Sequence, residues 1–289
     1  MDQSAKLRAA VVAKVDEIPA LPTIVPKLLA ILQDDDASVS DIAAVISYDP
    51  SLTSKILRVA NSAYYGFSGQ VSELRKAVML IGLRMVKSLA LSIPIVHRLP
   101  SGSPSGHFSQ MGLWIHSLAV GTLARWLAQQ RRDPSAEALF LAGTLHDIGK
   151  IVFSEYFGSS FEQSLANVRA GNCQFLFQSE RETFGMDHGE LASLILKRWE
   201  FPAQIIEPIA FHHADEIPPD SDRMSITTLK VANTIVQEMQ VGSDGNVAPP
   251  MYDLTELRLL ELTSTDLEQA QTYLADMEEG IQQFYSAIT

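Results

Sequence analysis

Leu141-Ala142-Gly143-Thr144-Leu145-His146-Asp147-Ile148-Gly149-Lys150 is the stretch that decides how this chain is read. It begins inside an apolar run and ends by setting an imidazole beside a carboxylate. A buried segment that closes this way presents two hard ligands to a metal ion. A His-Asp pair alone occurs by chance in many proteins, so its weight comes from the other histidines. His116 lies in Trp-Ile-His-Ser, His188 in Asp-His-Gly-Glu, and His212 and His213 are adjacent. Five of the seven histidines thus fall between residues 114 and 213, each beside or within an apolar segment. That pattern predicts one site assembled from several helices.

Outward from this stretch the sequence reads as helix almost throughout. Leu74, Ala77, Val78 and Ile81 follow the spacing of one helical face. Ser38 with Asp41, ahead of Ile42 and Ile46, has the form of a capping box. Asp49-Pro50 stops that helix and starts another, with Pro in the first turn. Leu52, Ile56, Leu57, Val59 and Ala60 make the next apolar face. Residues 114–127 are apolar nearly all round, which places His116 on a central, buried helix. The β-branched run Ile151-Val152-Phe153 is short and continues a helix. No period-two strand pattern is evident. Breaks are expected at 99–106, at 217–220 and at roughly 240–250, all rich in Pro, Gly, Ser or Asp.

The C-terminal segment carries a stripe of its own. Thr265 with Glu268 has the form of a capping box. Leu267, Ala270, Leu274, Met277, Ile281, Phe284 and Ile288 then follow at alternating spacings of three and four. Such a stripe either packs back on its own core or forms a seam with a second copy or partner.

Composition narrows the function classes. The 289 residues are 46% hydrophobic, ample for a packed core, and the net charge is -12. That charge argues against nucleic acid as a partner and against an anionic membrane surface, since both need clustered Lys and Arg. The one cysteine, Cys173, excludes an internal disulfide and a thiolate metal cage. The first residues lack the basic and apolar regions of a signal peptide. No stretch is long and apolar enough to span a bilayer; residues 89–96 come nearest, and Pro94 interrupts them. The expected location is the cytoplasm.

Each candidate also has an ordinary structural reading. His116 alone would be a hydrogen-bonded core histidine. Lys150 alone would pack its stem and solvate its head. His212 and His213 would sit at a helix C-terminus beside free carbonyls. Asp187 and Glu190 would cap and open the helix over 191–197. The order and contexts of all of them together are what favour a metal site. Imidazole nitrogen and carboxylate oxygen suit Mn, Fe, Zn, Ni or Mg.

In that order, His116, then His146-Asp147, then His188, then His212-His213, the chain resembles the HD superfamily of metal-dependent phosphohydrolases. More fully it resembles HDOD proteins, the HD-related output domain family. The likeness begins at Ile18-Pro19-Ala20-Leu21-Pro22 and Asp49-Pro50-Ser51-Leu52. It continues through Leu57-Arg58-Val59-Ala60-Asn61-Ser62 and Ala77-Val78-Met79-Leu80-Ile81-Gly82. After the histidine motifs come Lys197-Arg198-Trp199-Glu200-Phe201-Pro202 and Ile209-Ala210-Phe211-His212-His213. It covers residues 18 to 236.

The resemblance implies an all-α fold: an N-terminal helical lobe, residues 1–99, packed on an HD-like lobe, residues 100–289, with a C-terminal extension helix. It implies a regulatory role in bacterial signal transduction, exercised through a protein partner. The implied metal candidates are His116, His146, Asp147, His188, His212, His213 and Asn233. Catalytic HD members close their ligand set with an Asp on a later helix, and the similar segment here, Leu229-Lys230-Val231-Ala232-Asn233-Thr234, has Asn233 there. An amide oxygen still coordinates but carries no charge, which weakens the site by several kcal/mol. The Gly-Tyr-Pro motif of the cyclic-dinucleotide phosphodiesterases is absent. Three readings follow. The first is a non-catalytic regulator with a partial HD-type metal site. The second is a metal-dependent phosphohydrolase of nucleotides or cyclic dinucleotides, with Lys150 meeting the phosphate. The third is a nucleotide receptor. A homodimer is compatible with the C-terminal stripe.

Overall fold

The computed structural model describes residues 3–32, 38–67, 69–99, 108–248 and 250–289. Of the described residues 72% are helical, and none lies in a strand. The helices in order are α1 (Gln3–Glu17), α2 (Ile24–Leu32), α3 (Val39–Ser47), α4 (Pro50–Ala60), α5 (Leu74–Ile81) and α6 (Leu83–Arg98). There follow α7 (Gln110–Gln130), α8 (Ala136–Leu145), α9 (Ile148–Tyr156), α10 (Gly158–Arg169) and α11 (Leu176–Phe184). The last are α12 (His188–Arg198), α13 (Ala203–Phe211), α14 (Arg223–Glu238), α15 (Leu254–Leu259) and α16 (Ser264–Ile288).

Local signals place several helix ends. Ser38 and Asp41 form the expected capping box, with Asp41 N–H donating to Ser38 Oγ and Ser38 N–H to Asp41 Oδ2. Asp49 caps α4 through Leu52 N–H at 3.0 Å, with Pro50 in the first turn. At α16 the box sits two residues earlier than expected. Thr263 N–H and Oγ1 donate to Asp266 Oδ2, and Asp266 N–H donates to Thr263 Oγ1 at 3.3 Å. A shorter acid at the third helical position closes the same ring, so the Thr265–Glu268 reading gives way to Thr263–Asp266.

The helices cluster into two compact units. One comprises residues 1–18 and 100–274, the other residues 19–99 and 275–289. These differ from the lobes 1–99 and 100–289 at the two ends of the chain. In the first unit α1 packs against α11 and α12. Arg8 there donates to Gly185 O and pairs with Glu190. The expected break at 99–106 lies, beyond Leu99, outside the described residues.

In the second unit α2 to α6 bury Ile42, Ile46, Leu52, Ile56, Val59 and Ala60. Leu57 is half-buried instead, and Lys55 takes a buried place on that face. The Lys55 ammonium donates to the Ile288 carbonyl at 2.6 Å. The apolar pair α5–α6 is bent by 115°, and no single helix among the described residues is long and apolar enough to cross a membrane. The stripe on α16 is covered within this chain: Ala270, Leu274, Ile281, Phe284 and Ile288 are fully buried, while Leu267 and Met277 are half-buried.

The first unit holds the histidines. Helix α7 packs on α8 and α14, α13 on α8, α12 and α14, and α9 on α12. Helix α7 buries residues on every face, from Leu113 to Ala128, as the all-round apolar pattern required.

Candidate metal centre

Helix ends carry most of the site. His146 caps α8 and Asp147 opens α9, so the His-Asp pair occupies the corner between two buried helices. His188 is the first residue of α12, held there by its N-cap Asp187, which accepts from Glu190 N–H at 2.9 Å. His212 caps α13, and His213 follows it. The helix-end readings of Asp187 and His212 are therefore correct, and they serve to position the cluster. His116 lies mid-way along α7 and Asn233 along α14.

Gly149 permits the closest of these approaches. A methyl group there would lie 2.2 Å from the His188 carbonyl oxygen. Only hydrogen at that position lets α9 meet the start of α12, which brings Asp147 to His188.

The polar atoms converge. His188 Nε2 lies 3.0 Å from His213 Nε2 and 3.2 Å from His212 Nε2. Asp147 Oδ1 lies 3.1 Å from His188 Nε2 and 3.4 Å from His146 Nε2. Asp147 Oδ2 lies 3.8 Å from His116 Nε2. His116 Nε2 meets Asn233 Oδ1 at 3.0 Å. All seven candidate ligand residues are thus brought to one cluster, and all are buried except His213, which is half-buried. The His213 ring stacks on Phe177 with centroids 4.4 Å apart.

The outer bonds of three histidines fix their tautomers. His146 Nδ1 lies 2.7 Å from Gly143 O and His212 Nδ1 lies 2.6 Å from Ile209 O. A carbonyl only accepts, so both Nδ1 atoms carry hydrogen and both Nε2 atoms present lone pairs. His188 Nδ1 donates to Glu180 Oε2 at 2.6 Å, and His188 N–H donates to the same oxygen at 2.9 Å. Metal-ligating histidines are held by such outer carbonyl and carboxylate partners.

Charge follows from burial and these contacts. Burial pushes His146 down to about 4 and holds His116, His212 and His213 below their ordinary value. Burial also opposes charge on His188, but Glu180 and Asp147 outweigh it and raise the ring to about 9. For Asp147, burial pushes the carboxyl up, and His146, Lys150 and His188 together hold it well below the carboxylate range. His146 Nε2 and Asp147 Oδ1 are among the buried side-chain atoms that have no hydrogen-bond partner among the described residues. Buried polar atoms of a folded protein are nearly always paired. Two such orphans aimed into a ring of imidazoles fit a divalent ion, and the N,O donor set without thiolate suits the harder metals.

Lys150, expected to meet a phosphate, is 1% exposed. Its ammonium donates to Asp147 Oδ2 at 2.8 Å and lies 3.9 Å from Asp244 Oδ2.

The sequence reading missed two carboxylates. Glu180 is fully buried on α11 beside Leu176 and Phe184, at helical spacing. An acid on an apolar stripe was the signal that marked it. Asp244 lies in the loop after α14, where nothing periodic could single it out. The loop is pinned on α7 by Ser243 N–H donating to Gly112 O at 2.9 Å. Gly242 has φ +75°, and a methyl group there would lie 2.4 Å from His116 N. Asp244 accepts from Gln237 Nε2 at 2.6 Å and from Asn246 N–H at 3.1 Å.

Two cavities flank the cluster. One of about 310 Å³ is lined by His116, Gln237, Gly242 and Asp244 among others, with no Lys or Arg among the described residues that line it. The other, about 240 Å³, is reached from His212, His213 and Asn233. It carries Asp215, Asp253 and Glu256 against one cation, Lys230. Lys230 is paired with Glu256 at 2.7 Å.

A model of the HDOD domain matches residues 18–215. The chain belongs to the HDOD family. A curated relative, an uncharacterized protein of Treponema pallidum (strain Nichols), is 28% identical over 245 residues, covering 81% of this chain and 45% of the relative. The chain therefore spans about half the length of that relative. Among solved structures, an HDOD domain protein of unknown function from Geobacter sulfurreducens is 23% identical, with 98% of each chain covered and a TM-score of 0.76. A candidate phosphohydrolase from Shewanella amazonensis SB2B is also 23% identical, with 98% of this chain and 99% of that one covered and a TM-score of 0.77. A candidate signal transduction protein from Marinobacter aquaeolei VT8 is 19% identical, with 99% and 66% covered and a TM-score of 0.81. The HDOD chain shares its all-helical HD-like fold with these proteins.

Proposed function

We propose that this HDOD chain is a non-catalytic signalling module that binds a divalent ion in its histidine–carboxylate centre and acts through a protein partner. His188, His212, His213, His146 and Asp147 would hold the ion, with Glu180, Gly143 and Ile209 setting the ring orientations. A bound dication supplies positive charge and Lewis acidity at that point. The ion would fix the ends of α8, α9, α12 and α13 together, making it a folding ligand for this unit.

The observation that carries this reading is the charge of the flanking cavities. Beyond the ion itself, phosphoester recognition draws on Lys or Arg that face the phosphate oxygens. Here Lys150 is closed in against Asp147, and the cavity linings bring acids with a single, already paired Lys230. Asn233 in place of an anionic ligand points the same way.

The retained histidines and the candidate phosphohydrolase relative favour a second reading, metal-dependent hydrolysis of a phosphoester. Metal content and phosphate release measured on one freshly purified sample separate the two. Bound ion without phosphate release is expected. Nucleotide titration by calorimetry of the same sample tests the receptor reading, and tight binding without turnover would favour it.

A further inference from the structure

Asp147 divides its two oxygens between different neighbours. Oδ1 faces His188 and His146 at 3.1 and 3.4 Å. Oδ2 faces the Lys150 ammonium at 2.8 Å and His116 at 3.8 Å. Two groups of these residues could hold an ion, His188–His212–His213 and His116–His146–Asp147, and His146 and Asp147 Oδ1 border both.

The two sides of Asp147 differ in what already faces them. His212 has its Nδ1 hydrogen bonded outward to Ile209 O, which leaves an Nε2 lone pair for an ion, and His188, oriented by Glu180, offers Nε2 once its proton leaves. His116 Nε2 instead faces the Asn233 amide oxygen at 3.0 Å. That oxygen is an acceptor, so the nitrogen carries the hydrogen and offers no lone pair in this arrangement. The carboxylate oxygen on that side is already bonded to an ammonium, and a second carboxylate, Asp244, lies 3.9 Å from the same Nζ. Lys150 stands one turn after Asp147 on α9, so the helix itself sets this contact.

We propose that the Lys150 ammonium holds one of two cation positions in this centre, so that the chain takes a single divalent ion, on the His188–His212–His213 side with His146 and Asp147 Oδ1. Removing the ammonium opens the second position, beside His116, Asp147 Oδ2 and Asp244. This rests on the metal-binding reading above.

Charge balance supports it. Asp147, Asp244 and Glu180 bring three negative charges, all buried. Lys150 and one dication bring three positive charges. A second dication would leave an excess of two among these buried groups, and unbalanced buried charge is unfavourable. In Lys150→Met the excess with two ions falls to one. In Lys150→Met with Asn233→Asp it vanishes.

The test is equilibrium dialysis of the full chain against excess manganese(II) chloride. Manganese per chain is then counted by plasma mass spectrometry, and the paramagnetic resonance spectrum is recorded. The parent should bind one ion and show the hyperfine pattern of an isolated Mn(II). The double variant should bind two and show the broadened spectrum of an exchange-coupled pair, with the single variant gaining a weaker second ion. Two coupled ions in the parent, or folded variants that stay at one, overturn the proposal. If the variants do not fold, the parent's count and spectrum decide. A parent with no manganese removes the metal-binding reading and this proposal with it, an outcome distinct from two ions, which removes this proposal alone.

Discussion

Glu180 and His188 are joined twice: one carboxylate oxygen accepts from the His188 backbone N–H at 2.9 Å and from its Nδ1 at 2.6 Å. The first bond holds the start of α12 against α11, and the second orients the imidazole and raises its basicity. One acid thus links the fold to the ligand set.

Glu180→Gln should therefore weaken metal binding more than it weakens the fold. A lost outer carboxylate partner costs about 10- to 100-fold in metal affinity. Competition against a chelating indicator measures this. An affinity unchanged within twofold would show that His188 is not a ligand.

Proton and ion compete at His188. The ring is raised to about 9 in the ion-free chain, because Glu180 and Asp147 outweigh burial, so it is protonated near neutral pH. Its Nε2 must lose that proton to bind an ion, so uptake should release about one proton and tighten with rising pH up to about 9. Calorimetry in two buffers of different ionisation enthalpy reads the proton count. Uptake with no proton release would contradict the account.

The same shifts set the stability of the ion-free chain. His188 has a folded value above the unfolded value of about 6.5. Its contribution is complete below that pH and is lost as pH rises through about 9. His116, His146, His212 and His213 are lowered, so the unfolded chain takes up more protons below pH about 6.5 and the fold weakens there. The melting temperature should peak near pH 6.5 and fall on both sides. A plateau from pH 5 to 9 would show that these groups are not buried as described.

Gly149→Ala should damage the site from a distance. Its methyl group would lie 2.2 Å from His188 O, and overpacking of this kind costs about 1–3 kcal/mol or more. The displacement falls on the residue that starts α12, so metal affinity should drop together with melting temperature. Stability and affinity equal to the parent would mean that α9 and α12 do not meet here.

Much of this was legible in the sequence because it depends on local periodicity. Ser38–Asp41 and Asp49–Pro50 are short-range devices, and Leu74, Ala77, Val78 and Ile81 are buried as their spacing requires. The histidines were legible as a set because each stands in an apolar context. Asp244 was not, since its place depends on how the 240–248 loop lies over α7. The surroundings of Lys150 were not legible for a similar reason. Sequence shows a lysine one turn from His146, whereas the enclosure that bonds it to Asp147 arises from helices far apart in the chain.

The C-terminal stripe supports the fold from within the chain. Phe284 is fully buried and meets Tyr64 edge-to-face, with centroids 5.3 Å apart. Phe284→Ala should cost about 3–5 kcal/mol, read by urea denaturation. Removal of all residues after Thr263 should abolish soluble, folded protein. A truncated chain that stays folded and merely passes from dimer to monomer in light scattering would assign the stripe to a seam instead.

A non-catalytic centre holds its ion without turning over phosphoesters. Hydrolysis of a cyclic dinucleotide and of bis(p-nitrophenyl) phosphate, by chain whose bound manganese has been counted in the same tube, decides this. Bound ion with product formation no faster than the buffer blank is the expected result. Manganese-dependent turnover that disappears in Asp147→Ala would contradict it and make the chain a phosphohydrolase.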